Sequence, residues 1–173
     1  DTHTYTLSGT DADSFEVVSG QLKLKGSADY ETKNSYSVTV TATDAAGAVF
    51  AQSFAITVTD VNETPTAIAL SATAIDENAA GAVVGTLSTS DVDAGDTHAY
   101  TLSGTDADSF EVVNGQLKLK DSVTADYETQ SSYSVTVTTT DTGELTTFQS
   151  FVITVTDVND TPTAIALSAM AID

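Results

Sequence analysis

The chain has 173 residues, with 25 Asp plus Glu against 5 basic residues, all of them lysine, for a net charge of -20. That balance leaves nothing to neutralise nucleic-acid phosphates or an anionic membrane surface and excludes both as partners; it favours divalent cations, which relieve carboxylate self-repulsion. Cysteine is absent, which removes disulfides and thiolate metal sites, and no apolar run is long enough to insert this segment into a membrane.

In chain order, 35–43 and 54–59 alternate apolar residues with Ser or Thr, the period-two pattern of strands with one buried and one wet face. The next predicted strands cover 67–75, 82–90 and 98–103. Residues 105–109 suit one short helical turn. Strands over 110–113 and 116–119 follow, joined by Asn114-Gly115, which fits a type I′ hairpin; the corresponding pair earlier in the chain is Ser19-Gly20. The last two predicted strands cover 133–140 and 146–156. Seven short strands in about 95 residues predict an immunoglobulin-like β-sandwich. Its expected core comprises Ile68, Leu70, Val84, Leu87 and Tyr100, then Leu102, Phe110, Val112, Leu117 and Tyr133, then Val135, Val137, Phe151, Ile153 and Val155.

The sequence also repeats itself. Residues 2–25 recur as 97–120 with two changes, Thr4 to Ala99 and Ser19 to Asn114. After a two-residue insertion near Val123 the match resumes through 53–63 and 150–160. A spacing of 95 to 97 residues is one small β domain, so the chain reads as beads on a string. The expected organisation is a partial repeat over 1–63, lacking counterparts of the first two strands, a complete repeat over 64–160, and the first strand of a following repeat over 161–173. A window of a longer array explains these ends best. Strand donation, in which 162–173 of one copy enters the partial repeat of another, is the alternative.

Short acidic motifs recur at the repeat ends. They are Asp76-Glu77-Asn78, Asp91-Val92-Asp93, Asp29-Tyr30-Glu31 with Asp126-Tyr127-Glu128, and Asp44 with Asp141. The linkers Asp60-Val61-Asn62-Glu63-Thr64-Pro65 and Asp157-Val158-Asn159-Asp160-Thr161-Pro162 complete the set. In this order and spacing, over essentially the whole chain, they resemble the cadherin repeat family, particularly its bacterial cadherin-like members. The resemblance implies all-β, tandem, cadherin-type antiparallel sandwiches with Ca2+ between successive repeats. Carried over by position, the first junction uses Asp29, Glu31, Asn62, Glu63, Asp91, Asp93 and Asp141, and the second uses Glu77, Asp126, Glu128, Asn159 and Asp160. Glu63 and Thr64 stand where the animal pattern has Asp and Asn, which implies fewer or weaker ions at the first junction.

The donor chemistry agrees with that assignment. Ca2+ takes six to eight hard oxygen ligands, and the lack of Cys and scarcity of His disfavour Zn2+ and Cu2+. The plain alternative is that these acids cap turns in solvated loops. His3 and His98 read as loop histidines, and Tyr5, Tyr36, Tyr100 and Tyr133 as core. Asn62 and Asn159 match the glycosylation sequon but are each followed two residues later by Thr-Pro within the linker. No catalytic motif, phosphate loop or sugar-shaped carboxylate pair stands out, so no enzyme is expected. The implied function is a Ca2+-stiffened, extracellular, cell-surface stalk, adhesin shaft or filament, with neighbouring repeats of the same protein as partners. Other copies, by strand donation or lateral contact, and glycans are further candidates. A carbohydrate-binding module is the alternative reading, although Trp is absent and few aromatics fall outside the expected core.

Overall fold

The computed structural model describes residues 2–166. The chain divides into two compact units, Asp1–Asn62 and Glu63–Asp173.

The second unit is a β-sandwich. After the first unit's five strands, given below, it adds β6 (Ala67–Leu70), β7 (Ala74–Asp76), β8 (Val83–Ser90), β9 (Ala99–Ser103), β10 (Phe110–Val113), β11 (Gln116–Leu119), β12 (Ser132–Thr140) and β13 (Thr146–Thr156). One sheet runs β10-β11-β8-β6 and the other β7-β13-β12-β9. The alternation of β12 drives the layering: Tyr133, Val135 and Val137 are buried, while the Ser and Thr residues between them face outward or lie at the margin. The hairpin between β10 and β11 turns at Asn114 and Gly115, both at positive φ (50° and 75°), as a type I′ turn requires. One turn of 3-10 helix, Ala107–Ser109, falls inside the predicted 105–109 turn.

The single strand expected over 67–75 is two. β6 pairs antiparallel with β8, whereas β7 crosses to the opposite sheet and runs parallel to β13, with Thr154 opposite Ala74 and Val155 opposite Ile75. The crossing passes directly over Gly85 on β8. A Cβ at Gly85 would sit 2.8 Å from both the Ala72 amide nitrogen and Ser71 Oγ, a distance that side chains do not tolerate. The Ser71 hydroxyl fastens the crossing by accepting the Thr86 N–H at 2.8 Å.

Ten of the fifteen expected core residues are buried, and Leu70, Tyr100, Leu102, Val112 and Phe151 pack against them partly buried. Ile75, Leu119 and Ala125 also belong to this core. Phe110 meets Tyr133 edge to face with centroids 5.5 Å apart, a favoured aromatic geometry.

The first unit contains β1 (Thr4–Ser8), β2 (Phe15–Val18), β3 (Gln21–Leu24), β4 (Ser35–Thr43) and β5 (Val49–Thr57). They form a three-stranded sheet, β1-β4-β5, and a hairpin, β2-β3. Ser19 and Gly20 take the same left-handed pair of conformations as Asn114 and Gly115, and Phe15 meets Tyr36 edge to face at 5.4 Å. Among the described residues this unit has no counterparts of β6, β7 and β8. The strand expected within 161–173 falls largely on 167–173, outside the described residues; 161–166 have no regular structure.

Candidate metal sites

The acids expected at the second junction converge on Glu77. This residue follows β7, whose pairing with β13 delivers it beside the linker that leaves β13. Glu77 is only 4% exposed. Its Oε2 accepts the Tyr127 N–H at 2.8 Å and its Oε1 the Val158 N–H at 2.7 Å. The carboxylates of Glu77, Glu128 and Asp157 each place an oxygen within 4.8 Å of the others. Asn78, at φ 67°, donates its side-chain amide to Asp160 Oδ1 at 3.0 Å, and Asn159 donates to the Asp160 carbonyl at 3.2 Å.

The electrostatics of this cluster are unfavourable without a cation. The Glu128 carboxyl is pulled down most strongly by its own backbone N–H. Partial desolvation and the charges of Glu77, Asp160 and Asp157 outweigh that pull and raise it above the ordinary glutamate value. Among the described residues, no ion pair to a lysine or histidine involves Glu77, Glu128 or Asp157.

A second acidic cluster lies near the start of the same unit. Asp91, Asp93 and Asp96, in the turn after β8, bring carboxylate oxygens within 4.8 Å of one another, and the Glu63 and Asp93 carboxylates approach equally closely. Asp93 Oδ2 accepts the Glu63 N–H at 2.8 Å, and Asp91 Oδ1 accepts the Asp93 N–H at 3.3 Å. His98 Nε2 lies 3.0 Å from Asp91 Oδ2. That hydrogen bond is the main reason the Asp91 carboxyl sits below the ordinary aspartate value, against an opposing desolvation and with help from the backbone N–H groups of Asp93 and Val92. His98, expected as a plain loop histidine, therefore orients a candidate ligand. Asp96 Oδ2 accepts the Thr142 hydroxyl at 2.9 Å. Asp141 is buried, and its Oδ1 accepts the Leu145 N–H at 2.8 Å.

In the first unit, the carboxylates of Glu31 and Asp60 approach within 4.8 Å, and Asn62 is half-buried. Asp29 turns inward on its own loop: Oδ1 accepts the Thr32 N–H at 2.9 Å and Oδ2 the Thr32 hydroxyl at 2.8 Å. These two bonds, the backbone one foremost, hold its carboxyl below the ordinary value. Asp126 bonds Thr129 in the same way in the second unit, both distances being 2.9 Å. Asp44, like Asp141, closes the turn after its strand, accepting the Ala46 and Ala48 N–H groups.

Of the twelve candidate ligands, Glu31, Glu63, Glu77, Asp91, Asp93 and Glu128 thus sit in close carboxylate groups, and Asn159 and Asp160 adjoin the Glu77 group. Asp29, Asp126 and Asp141 have oxygens engaged in fastening turns. Sequence reasoning left Asp60, Asp96 and Asp157 out of the ligand set. The first and last open the repeated Asp-Val-Asn linkers, a signal present in the sequence; Asp96 lies three residues past the Asp91-Val92-Asp93 motif and is recognisable only from the turn that returns it.

The donor set fits a hard cation. Every converging atom is a carboxylate oxygen, and the oxygens of Glu77 that accept backbone N–H groups each retain a second lone pair. Among the described residues, neither sulfur nor a pair of imidazoles joins these groups to favour a softer metal.

No protein-family model matches the sequence. Solved structures do match. One is a cis-dimer structure of protocadherin gamma B7 spanning EC3-6, with a TM-score of 0.70, 27% identity, and coverage of 92% of this chain and 41% of that one. Another is protocadherin gamma B3 EC1-4, with a TM-score of 0.75, 25% identity, and coverage of 91% and 41%. Human protocadherin-24 EC1-2 matches with a TM-score of 0.71 and 25% identity over 92% of this chain and 84% of that one. The chain therefore spans about two fifths of the length of the first two protocadherin chains. Sandwich topology and these likenesses together give the chain a cadherin-type β-sandwich fold, similar to the extracellular cadherin domains of those protocadherins.

Proposed function

We propose that this chain is a Ca2+-stiffened segment of a long extracellular stalk, adhesin or surface filament. The supporting observation is the Glu77–Glu128–Asp157 group, three carboxylates held within 4.8 Å of one another with negative neighbours raising Glu128. Like charges brought this close oppose folding of the loops that carry them, and a divalent cation removes the opposition. Glu77, Glu128 and Asp157, with Asn159 and Asp160, would hold the ion at this end of the repeat. Asp91 and Asp93, with Asp96, Glu63 and Asp141, would contribute at its start. Asp29, Glu31, Asp60 and Asn62 would contribute from the preceding repeat, and Asp126 would stand beside Glu128 as Asp29 stands beside Glu31.

The ion would supply positive charge that cancels carboxylate repulsion and would tie together the loops that carry these carboxylates. Because it binds the folded ends and not the unfolded chain, it raises stability by linkage. The natural partners are neighbouring repeats, as in the multi-domain protocadherin chains that this one resembles. No described helix is long and apolar enough to cross a membrane.

Calorimetric titration of Ca2+ into the chain tests this reading, alongside the double variant Glu77→Gln, Glu128→Gln. Saturable binding that the variant weakens at least tenfold, with a rise in melting temperature lost in the variant, is expected. Absence of saturable binding, or an unaltered affinity in the variant, overturns the assignment.

A further inference from the structure

Three hydroxyls meet between the two sheets of the second unit. Thr89 Oγ1 on β8 lies 2.9 Å from Tyr100 Oη on β9 and 3.1 Å from Thr139 Oγ1 on β12. β8 belongs to one sheet and β9 and β12 to the other, so the contact spans the sandwich. Thr139 is fully buried, Tyr100 packs against the core, and the two face each other in the ladder between β9 and β12. A hydroxyl donates one hydrogen bond and accepts two, so Thr89 can serve both neighbours at once. Apolar packing is non-directional and brings the sheets together without fixing how they slide; hydrogen bonds are directional and fix both.

Each of these strands reaches the acidic end of the unit at the same offset. Asp91 follows Thr89 by two residues, Asp141 follows Thr139 by two, and His98 precedes Tyr100 by two. β8 ends at Ser90, β12 ends at Thr140, and β9 begins at Ala99. Residues two apart on a strand share a face. Asp91, His98 and Asp141 therefore take the next place along the faces that carry the hydroxyls, one residue beyond the strands. The Asp91–His98 contact at 3.0 Å repeats, at that end, the bridge between β8 and the β9 side that Thr89 and Tyr100 make beneath it.

We infer that Thr89, Tyr100 and Thr139 form a positioning clamp. They fix the turn after β8, with Asp91, Asp93 and Asp96, relative to the end of β12, with Asp141, and so set how tightly the start of this repeat holds a cation. The inference rests on the proposed Ca2+ reading and adds to it residues that touch no ion. Carboxylates carried by two sheets bind an ion best when their separation is fixed beforehand, and sliding of the sheets removes that preorganisation. The Glu77 group is held differently, by the backbone N–H groups of Tyr127 and Val158, and lies outside the clamp's reach. The first copy keeps a tyrosine, Tyr5, in the place of Tyr100 but has Ala42 in the place of Thr139. Near-identical repeats can thereby differ in ion affinity with no change in a ligand.

The test is a Ca2+ titration of the whole chain followed by backbone NMR, which reads 91–96 and 157–160 separately, with amide exchange at 91–96 measured in EDTA. Tyr100→Phe and Thr139→Val each remove one hydroxyl and keep the shape, whereas Thr139→Ser keeps the hydroxyl. The first two variants are expected to raise the Ca2+ midpoint at 91–96, and to speed exchange there in EDTA, by about threefold or more, the order expected for one hydrogen bond. The midpoint at 157–160 should stay in place, and Thr139→Ser should behave as the unaltered chain. Equal weakening at both ends, or unchanged midpoints and exchange in both hydroxyl-free variants, overturns the clamp. An unaltered chain with no saturable Ca2+ response overturns the calcium reading, and the clamp's role in affinity with it. The exchange measurement needs no metal and tells that failure apart from a failure of the clamp itself.

Discussion

The carboxylates of Glu77 and Glu128 lie within 4.8 Å of each other, although 51 residues of chain separate them. What holds Glu77 there is backbone, not a counter-charge: the N–H groups of Tyr127 and Val158 each donate to one of its oxygens. Glu77 thereby pins the loop after β11 and the linker after β13 to the end of β7. Replacing it with Ala leaves two backbone donors with no acceptor in a largely buried place. Loss of charged hydrogen bonds of this kind predicts destabilisation of about 2–3 kcal/mol in calcium-free buffer. Urea denaturation in EDTA reads that value directly. A loss smaller than about 0.5 kcal/mol would mean that water replaces the carboxylate and that Glu77 is not a structural clasp.

The proposed Ca2+ site predicts a response to metal from the same cluster. An ion that binds only the folded form at a hundred times its dissociation constant adds about 2.7 kcal/mol of stability. The chain is therefore expected to melt at higher temperature in excess Ca2+ than in EDTA, with a smaller response to Mg2+. Mg2+ demands near-ideal octahedral geometry and keeps its waters, whereas Ca2+ accepts irregular sets of carboxylates. Differential scanning calorimetry in the two ions decides the point; equal responses would argue for diffuse screening of the -20 charge rather than for sites.

Asp11 offers a titration remote from the acidic clusters. Its carboxylate takes a hydrogen bond from Lys33 Nζ and another from the Ser37 N–H, and Lys33 is the foremost cause of its carboxyl lying below the ordinary 3.8. In the second copy, Asp106 keeps the backbone bond, from Ser134 at 2.6 Å, but receives Gln130 Nε2 at 3.1 Å in place of the lysine. A carboxyl with a depressed pKa when folded adds stability that is present above the unfolded pKa and lost as pH falls through the folded value. The Asp11 contribution should thus hold at neutral pH and be lost progressively as pH falls from about 4 through the lower folded value. Lys33→Gln, which makes the first copy resemble the second, should move the Asp11 midpoint upward toward 3.8. Carboxyl-detected NMR titration of both proteins measures the shift; an unchanged midpoint would assign the depression to the Ser37 N–H alone.

Local chemistry made much of this fold readable from sequence. Asn114-Gly115 announces its own hairpin, because few residue pairs accept two successive left-handed conformations. The strict alternation over 133–140 states which side chains enter the core. What escaped depends on partners distant in sequence. The break between β6 and β7 leaves one trace in 67–75, the change of phase from Ile68 and Leu70 to Ile75; the crossing itself needs Gly85, on another strand, to leave room for the chain. Leu119 continues the alternation of Leu117 and was legible in the sequence, whereas Ala125 lies past the end of β11, where no strand pattern marks it; both belong to the core. The acidic motifs were legible as a set, yet their division of labour was not. Asp29 and Asp126 face Thr32 and Thr129, three residues on, a spacing at which a side chain fastens its own turn. Asp60 and Asp157, at the head of each linker, are the residues that join the carboxylate groups.

Leu24 and Leu119 are the same residue in the same hairpin register, in different degrees of enclosure. Leu24 lies opposite Phe15, as Leu119 lies opposite Phe110. Leu119 is fully buried and belongs to the closed core, so Leu119→Ala removes transferred surface and leaves a cavity, at a cost of about 2–5 kcal/mol. Leu24 borders an open trough. Water already reaches it, and Leu24→Ala leaves no enclosed void, so its cost should stay below about 1.5 kcal/mol. Native-state hydrogen exchange, read separately on the strands of each unit, measures both values in the full chain. Equal losses at the two positions would mean that the first unit closes its trough in solution. A gap between them would show that enclosure, and not residue type, sets the larger cost at Leu119.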